Sequence, residues 1–232
     1  MGAMIYDFHT HSTLSDGELS PIELVRRAVV LGYTGMAITD HAGIGALERF
    51  AYELQADCRL AQEMWSVDVF SGVELTHVPA QSIDECARKA REAGAAIVVV
   101  HGETVVEPVE PGTNMAAIQS AYVDVLGHPG LITLEEARLA AEKGVFLELS
   151  ARRTHCVANG HVARIAREAG AKLILDSDQH DLDFLTAERQ RYVALGAGLS
   201  EDDLEDVLIN NPRELLERLK ARALGGGSSS RT

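Results

Sequence analysis

The sequence predicts an α/β protein in which seven parallel strands close into a TIM-like (β/α)7 barrel. Seven short apolar runs, rich in β-branched residues, alternate along the chain with longer segments of helical periodicity. The connections are short, so each helix returns the chain to begin a parallel neighbouring strand. Seven such units favour closure into a barrel over an open sheet.

The periodicity assigns each element in turn. The seven predicted strands are MIYDFH, GMAITDH, VDVFSGVE, AAIVVVHGE, VDVLGHP, VFLELS and KLILDSDQH. The helical segments between them are SPIELVRRAVVLG, ALERFAYELQADCRLAQEM, SIDECARKAREAG, NMAAIQSAY, TLEEARLAAEKG and GHVARIAREAG. Their bounds are supported by N-caps at Ser20, Ser82 and Thr133 and by helix stops at Gly32, Gly94, Gly144 and Gly170. A last helical region, SEDDLEDVLINNPRELLERLKARAL, is predicted to break just before Pro212.

Composition points to one barrel domain. No change of composition marks a second domain, so residues 1–224 are predicted to form a single barrel and residues 225–232, GGGSSSRT, a flexible tail. The three cysteines lack CxxC spacing, and no apolar run is long enough to span a membrane. We therefore expect a cytoplasmic protein with no membrane segment. The net charge of -14 argues against long nucleic acids as partners, and no oligomeric state is indicated.

Histidines are concentrated at the ends of the predicted strands. Six of the nine lie at or just beyond a carboxyl end: His9, His11, His41, His101, His128 and His180. In a parallel barrel these ends converge on the face where barrel enzymes build their active sites. We therefore expect these imidazoles to meet. His77, His155 and His161 fall elsewhere and are first interpreted as structural residues.

Carboxylates accompany these histidines and indicate a metal centre. His9 and His11 lie two residues apart, so both point to one side of an extended segment, and Asp178 and His180 repeat that spacing. Glu74 ends the third strand, and Asp16 lies in the loop after the first. Imidazoles mixed with carboxylates suit zinc, manganese or iron. Nine candidate ligands exceed the needs of one ion, which predicts two or three divalent ions.

Six motifs together resemble the PHP (polymerase and histidinol phosphatase) phosphoesterases. They are DFHTHSTLSDG, ITDH, GVE, VVHGE, LGHP and DSDQH, in the family's order from Asp7 to His180. The resemblance implies a distorted seven-stranded (β/α)7 TIM-like barrel. It also implies three ion sites, formed by His9, His11, Glu74 and Asp178; by Glu74, His101 and His128; and by Asp16, His41 and His180.

The resemblance further implies phosphate-ester hydrolysis. Clustered cations activate water and offset the charge of the phosphoryl group, so the hypothesis is that two ions activate water while the third helps to hold phosphate. The segment SARRTHC adds candidates at the same face: Arg152 or Arg153 would clamp the phosphate, and His155 would protonate the leaving alcohol. The alternative is a solvated basic loop.

The leading interpretation is a metal-dependent phosphatase acting on a small phosphomonoester, with histidinol phosphate or a nucleotide as candidate substrates. One alternative is a phosphodiesterase or short-oligonucleotide nuclease, because relatives of this family accompany DNA polymerases. A different class is a noncatalytic barrel subunit of an RNA-processing assembly. That interpretation predicts that several metal-binding residues are missing and that the surface is basic. This chain instead has the full set of ligand residues and a negative net charge.

Overall fold

The computed structural model describes residues 4–225, and all its strand pairings are parallel. The strands are β1 (Tyr6–Asp7), β2 (Gly35–Ile38), β3 (His41–Ala42), β4 (Asp68–Leu75), β5 (Ile97–His101), β6 (Val125–Gly127), β7 (Phe146–Ser150) and β8 (Leu173–Asp176). The helices are α1 (Pro21–Val30), α2 (Leu47–Met64), α3 (Ile83–Glu92), α4 (Thr113–Gln119), α5 (Leu134–Lys143), α6 (Asn159–Ala169), α7 (Ala187–Gly196), α8 (Glu201–Glu205) and α9 (Asn211–Gly225).

The sheet is a nearly closed barrel of seven strands. Its order is β1-β2-β4-β5-β6-β7-β8, and β3 also pairs with β4. Since β2 and β3 occupy successive stretches of β4, they are two halves of one barrel strand, interrupted at Thr39 and Asp40. A parallel bridge between Thr10 and Gln179 brings the first and last strands together. The predicted seven-stranded α/β barrel is confirmed.

Two apolar clusters lie on the two sides of the sheet. The larger fills the space between strands and helices. The smaller fills the barrel interior with side chains such as Phe8, Phe70 and Phe146, together with Leu215 and Leu219 from α9. Helix α9 thus contributes to the interior at the end away from the strand carboxyl termini. The opposite end is left for polar side chains.

Strand alternation carries several polar side chains into the barrel interior. Phe70, Ile97 and Ile174 belong to the interior cluster. Counting in steps of two along the same strands leads from Phe70 to Glu74 and from Ile97 to His101. The carboxyl ends of β4 and β5 therefore place Glu74 and His101 at the rim.

Most predicted helix bounds agree with the structure, with two differences. Thr133 forms a full capping box with Glu136, and Gly144 and Gly170 end α5 and α6 in left-handed conformations. Helix α7 was not predicted; it buries Gln190 and Ala194, so its pattern gives little amphipathic signal. The break expected before Pro212 is a π-helical segment, Asp206–Asn210, that leads directly into α9.

Two further expectations concern the chain's extremities and membranes. Of the tail predicted at 225–232, residues 226–232 lie outside the described residues, and Gly225 is the last residue of α9. Within residues 4–225, none of the helices combines the length and the apolar character needed to cross a bilayer.

Candidate metal centre

The nine side chains predicted as ligands meet at one rim of the barrel; we call them the central cluster. Their ligand atoms form overlapping groups, within each of which the atoms lie no more than 4.8 Å apart. The groups are His9, Glu74 and His128; His9, His11 and Asp178; His11, Asp16, His41 and His180; and His101, His128 and His155. The last group adds His155 as a tenth residue. Each group shares a residue with another, so the nine form one continuous cluster.

Glu74 lies at the centre of this cluster and is fully buried. Its Oε1 is 3.4 Å from Nε2 of His9 and 3.4 Å from Nε2 of His128. Its Oε2 is 2.6 Å from Nδ1 of His41 and 3.7 Å from Nε2 of His11. One carboxylate thus faces four imidazoles from three segments of the chain, a position that suits a bridging ligand.

Asp178 adds a second buried carboxylate just beyond β8. Its backbone has a φ of 50°, a left-handed conformation that aspartate tolerates better than most residues. Its Oδ1 is 3.3 Å from Nε2 of His11 and 3.9 Å from Nε2 of His9. Its Oδ2 is 3.7 Å from Nε2 of His128. Asp178 and Glu74 therefore face the same imidazoles.

Asp16 lies at the open side of the cluster. Its Oδ1 is 3.4 Å from Nε2 of His41 and 3.2 Å from Nε2 of His180. The loop that carries it is held by Asp40, whose carboxylate accepts hydrogen bonds from the hydroxyl groups of Ser12, at 2.7 Å, and Ser15, at 2.6 Å. Asp40 therefore shapes this loop.

His9 is oriented by Glu148 on β7. Glu148 Oε2 is 2.7 Å from Nδ1 of His9, which leaves Nε2 to face Glu74. Gly127 makes room for this pair: a Cβ at that position would lie 3.0 Å from Glu148 Oε2 and 3.2 Å from Cε1 of His9. A carboxylate behind a ligand histidine fixes its tautomer and ring orientation in metal sites.

The surroundings of the two buried carboxylates, Glu74 and Asp178, favour their ionised forms. Burial opposes ionisation of Glu74, but the positive charge of His9 and other histidines holds the pKa of Glu74 well below its usual range. Burial also opposes ionisation of Asp178, but the close approach of His11 and the charge of His9 hold the pKa of Asp178 far below its usual range. Ionised carboxylates are the form that binds metal.

The three candidates from the segment after β7 lie in different places. Arg152 reaches the cluster: its Nη1 is 3.2 Å from Oδ1 of Asp178 and contacts the ring of His180. His155 is buried beside His128, with ring centroids 4.1 Å apart, and burial lowers the pKa of His155 to about 3. The Arg153 side chain is 91% exposed, and the carboxylate facing it is that of Asp183, at 3.9 Å.

Sequence reasoning missed Glu107 and did not place His77 in the site. Glu107 Oε2 is 3.1 Å from Nε2 of His101 and 3.2 Å from Nε2 of His77, and its Oε1 is 3.4 Å from Nε2 of His155. Glu107 lies in an irregular loop, where no periodicity indicates a direction. The one feature of the sequence that could have indicated Glu107 is its place in the loop after β5, a strand that ends at His101.

Metal ions fit the central cluster. Several of its atoms are buried and have no hydrogen-bond partner within the described chain: Nε2 of His9, both ring nitrogens of His11, Oε1 of Glu74 and Oδ2 of Asp178. Each such atom costs about 1–3 kcal/mol if it stays unsatisfied. These nitrogen and carboxylate donors match zinc, manganese and iron. Ions held between them would satisfy the atoms that the protein leaves unpaired.

Comparison with known proteins identifies the family. The model of the PHP domain matches residues 7–188. The chain belongs to the PHP domain family. It is therefore related to phosphoesterases, and the predicted resemblance is confirmed.

Relatives of this PHP protein match almost its full length. An uncharacterised protein of Methanocaldococcus jannaschii is 47% identical over 93% of this chain and 100% of its own. A probable phosphatase of Thermoanaerobacter sp. strain X514 is 28% identical over 96% of this chain and 98% of its own. Ribonuclease P protein component 3 of Methanosarcina barkeri is 25% identical over 92% of this chain and 89% of its own.

A solved structure shows the same fold as this PHP protein. Histidinol phosphate phosphatase from Lactococcus lactis, in complex with zinc, L-histidinol and phosphate, superimposes with a TM-score of 0.59 at 17% identity. The match covers 85% of this chain and 95% of that one. At this identity the likeness concerns the fold.

Proposed function

We propose that this PHP protein is a metal-dependent phosphatase that hydrolyses a small phosphomonoester at a centre of two or three divalent ions. The ions are zinc, manganese or iron, and the ligands are the nine residues of the central cluster. The observation that carries the proposal is the convergence of all nine side chains, with unpaired buried nitrogen and oxygen atoms, at one barrel rim.

The pocket over the cluster suits a small substrate. Its volume is about 260 Å³, and its lining includes Asp16, His41, Arg152 and His155. Drug-sized ligands occupy pockets of about 300–1,000 Å³, so this space fits a phosphate group with a compact alcohol. The net charge of -14 disfavours long polyanions. Histidinol phosphate and mononucleotides are the candidate substrates.

Side chains of the protein would position the ions and the substrate. When bound, divalent ions activate water at neutral pH and offset the negative charge of the phosphoryl group. Glu148 fixes the ring of His9 so that Nε2 faces the cluster. Arg152 lines the pocket and offers guanidinium hydrogen bonds to phosphoryl oxygens. His155 lines the same pocket, and because its lowered pKa keeps the ring neutral, its proposed role is to form a hydrogen bond with the departing alcohol.

The experiment compares two model substrates with metal-loaded protein. We expect hydrolysis of p-nitrophenyl phosphate to exceed that of bis-p-nitrophenyl phosphate. Glu74→Gln should abolish it, whereas Glu92→Gln, on the surface of α3, should have the wild-type rate. Faster hydrolysis of the diester would replace the proposal with a phosphodiesterase or nuclease. No hydrolysis of either, with metal content near zero, would favour a noncatalytic subunit.

A further inference from the structure

Within residues 4–225, the seam between β1 and β8 lacks the ladder of backbone hydrogen bonds that joins the other neighbouring strands of the barrel. An isolated bridge joins Thr10 to Gln179 just beyond the two strands. At that bridge the N–H of His11 donates to the carbonyl oxygen of Gln179 at 2.8 Å. Nearer the amino ends of the strands, side chains hold the seam together.

Two aspartates accept hydrogen bonds across this seam, and we call Asp7 and Asp176 the seam aspartates. Oδ1 of Asp176, on β8, accepts the N–H of Phe8 at 2.6 Å. Oδ1 of Asp7, on β1, accepts the N–H of Ser177 at 3.0 Å. The arrangement is reciprocal, because each side of the seam supplies one carboxylate and one backbone donor. The carboxylates thus take the place of the carbonyl acceptors of a ladder.

These bonds are buried. Asp7 and Phe8 are fully buried, and Asp176 and Ser177 are 1% and 4% exposed. A buried N–H that loses its acceptor cannot turn to bulk water, so the chain must shift to satisfy it or bear the cost of an unpaired donor. The separation of the two sides of the seam therefore depends on the seam aspartates.

Both backbone donors lie next to proposed metal ligands. Phe8 immediately precedes His9, and Ser177 immediately precedes Asp178. The two ligands face each other across the seam, with Nε2 of His9 3.9 Å from Oδ1 of Asp178. Metal sites hold their metal–ligand distances to within about 0.2 Å. A small change in the separation of the two sides would therefore disturb the ligand set.

We propose that Asp7 and Asp176 are positioning residues of the metal centre, which set the distance between the ligands carried by the two sides of the seam. Neither belongs to the groups of potential ligands found among residues 4–225, so both act through the backbone. The ligands concerned are His9 and His11 on one side and Asp178 and His180 on the other. The inference rests on the metal centre of the proposed function.

Two substitutions of Asp176 test the proposal through Zn²⁺ affinity, measured by competition with a chromogenic chelator. Both Asp176→Ala and Asp176→Asn remove the charge, but asparagine keeps an oxygen that can accept the N–H of Phe8. Asp176→Ala should bind Zn²⁺ at least about 10-fold more weakly, and Asp176→Asn should stay within about threefold of wild type. Equal affinities in the two variants, whether lowered or unchanged, would overturn the proposal.

The same comparison at Asp7 tests the other side of the seam. Asp7→Ala should lose affinity and Asp7→Asn should keep it, since asparagine can still accept the N–H of Ser177. One folded alanine variant is enough for the comparison. If neither alanine variant folds, the seam aspartates serve folding alone and the proposal is overturned.

Leu219→Ala is the control for a general loss of stability. It removes a buried side chain at the opposite end of the barrel, so it should unfold at lower urea concentration yet keep wild-type Zn²⁺ affinity. An affinity loss equal to that of Asp176→Ala would overturn the proposal. The affinity does not depend on hydrolysis, so a wild type that binds Zn²⁺ but is inactive would contradict only the proposed function.

Discussion

At the scale of single residues, one buried pair sets the direction of a proposed ligand. Glu148 accepts a hydrogen bond from Nδ1 of His9 at 2.7 Å, and both side chains are fully buried. The bond orients the ring of His9 and leaves Nε2 facing Glu74. Glu148 therefore acts on metal binding through His9.

Replacing Glu148 should weaken metal binding without unfolding the protein. Glu148→Gln keeps the shape of the side chain but removes the charge that holds the imidazole. We expect a loss of about 10- to 100-fold in affinity for the ions, measured by competition with a chromogenic chelator. The control is Glu85→Gln on α3. Equal metal affinities for Glu148→Gln and wild type would show that metal binding does not depend on the contact between Glu148 and His9.

The two adjacent arginines should behave differently. Arg152 contacts Asp178 and His180, whereas Arg153 is 91% exposed. Losing a charged hydrogen bond to phosphate costs about 1.5–3 kcal/mol, so Arg152→Ala should reduce kcat/KM by about 10- to 100-fold. Arg153→Ala serves as the matched control and should stay within about threefold of wild type. Steady-state kinetics on p-nitrophenyl phosphate measures both, and a larger loss for Arg153→Ala would reverse the assignment.

Residue types and spacing predicted where the nine side chains would meet, but not how the backbone turns them. His128 and Asp178 have φ values of 28° and 50°, so period-two alternation stops before them. His77 has a φ of 52°, which aims its ring at Glu107. Positive φ at non-glycine residues leaves no mark on hydrophobic periodicity. The sequence therefore did not predict the backbone conformation at these three residues.

At the scale of elements, α9 stabilises the barrel at the end opposite the site. Leu215 and Leu219 are fully buried in the interior cluster with Phe8 and Phe146. Asp124 pairs with Arg222 at 2.6 Å and so ties this helix to the residue before β6. The packing of α9 and the candidate metal centre thus lie at opposite ends of the barrel.

Shortening one of these leucines should lower stability and leave the site intact. Leu219→Ala removes a fully buried side chain, and the expected loss in the free energy of unfolding is about 2–5 kcal/mol. Urea denaturation measures it. The exposed neighbour Glu217→Ala should change stability by less than about 0.5 kcal/mol. A loss below about 1 kcal/mol for Leu219→Ala would mean that α9 does not pack as described.

The order and type of most elements followed from the sequence. Buried strands such as β5 (Ile97–His101) read as continuous β-branched runs, and α5 begins at a recognisable capping box. Hydrophobic periodicity did not predict α7, because tertiary packing there places a polar residue in the core. Helix α7 buries Gln190, whose side chain donates to the carbonyl of Tyr6 at 2.9 Å, so a polar residue occupies a core position.

At the scale of the whole molecule, the barrel gathers distant segments into one site. Asp16 and His180 are 164 positions apart in the chain, yet their side chains lie 3.2 Å apart. This convergence couples metal binding to folding, because the unfolded chain has no such site. Ions that bind the folded state alone raise its apparent stability.

Removing metal should therefore lower the melting temperature. For a protein of this size each 1 kcal/mol corresponds to about 2–4 °C, so EDTA treatment is expected to lower Tm by several degrees in differential scanning fluorimetry. Glu74→Gln should respond less to EDTA, since it lacks the central carboxylate. An equal response in wild type and variant would show that Glu74 does not hold the ions.

Elemental analysis of the purified protein, prepared without chelator, tests the central claim most directly. The claim is that nine side chains at one barrel rim share divalent ions. The account predicts two or more equivalents of zinc, manganese or iron per chain, with p-nitrophenyl phosphate hydrolysis lost on chelation and restored by the same metal. Metal content near zero, or full hydrolysis after chelation without metal restored, would contradict it.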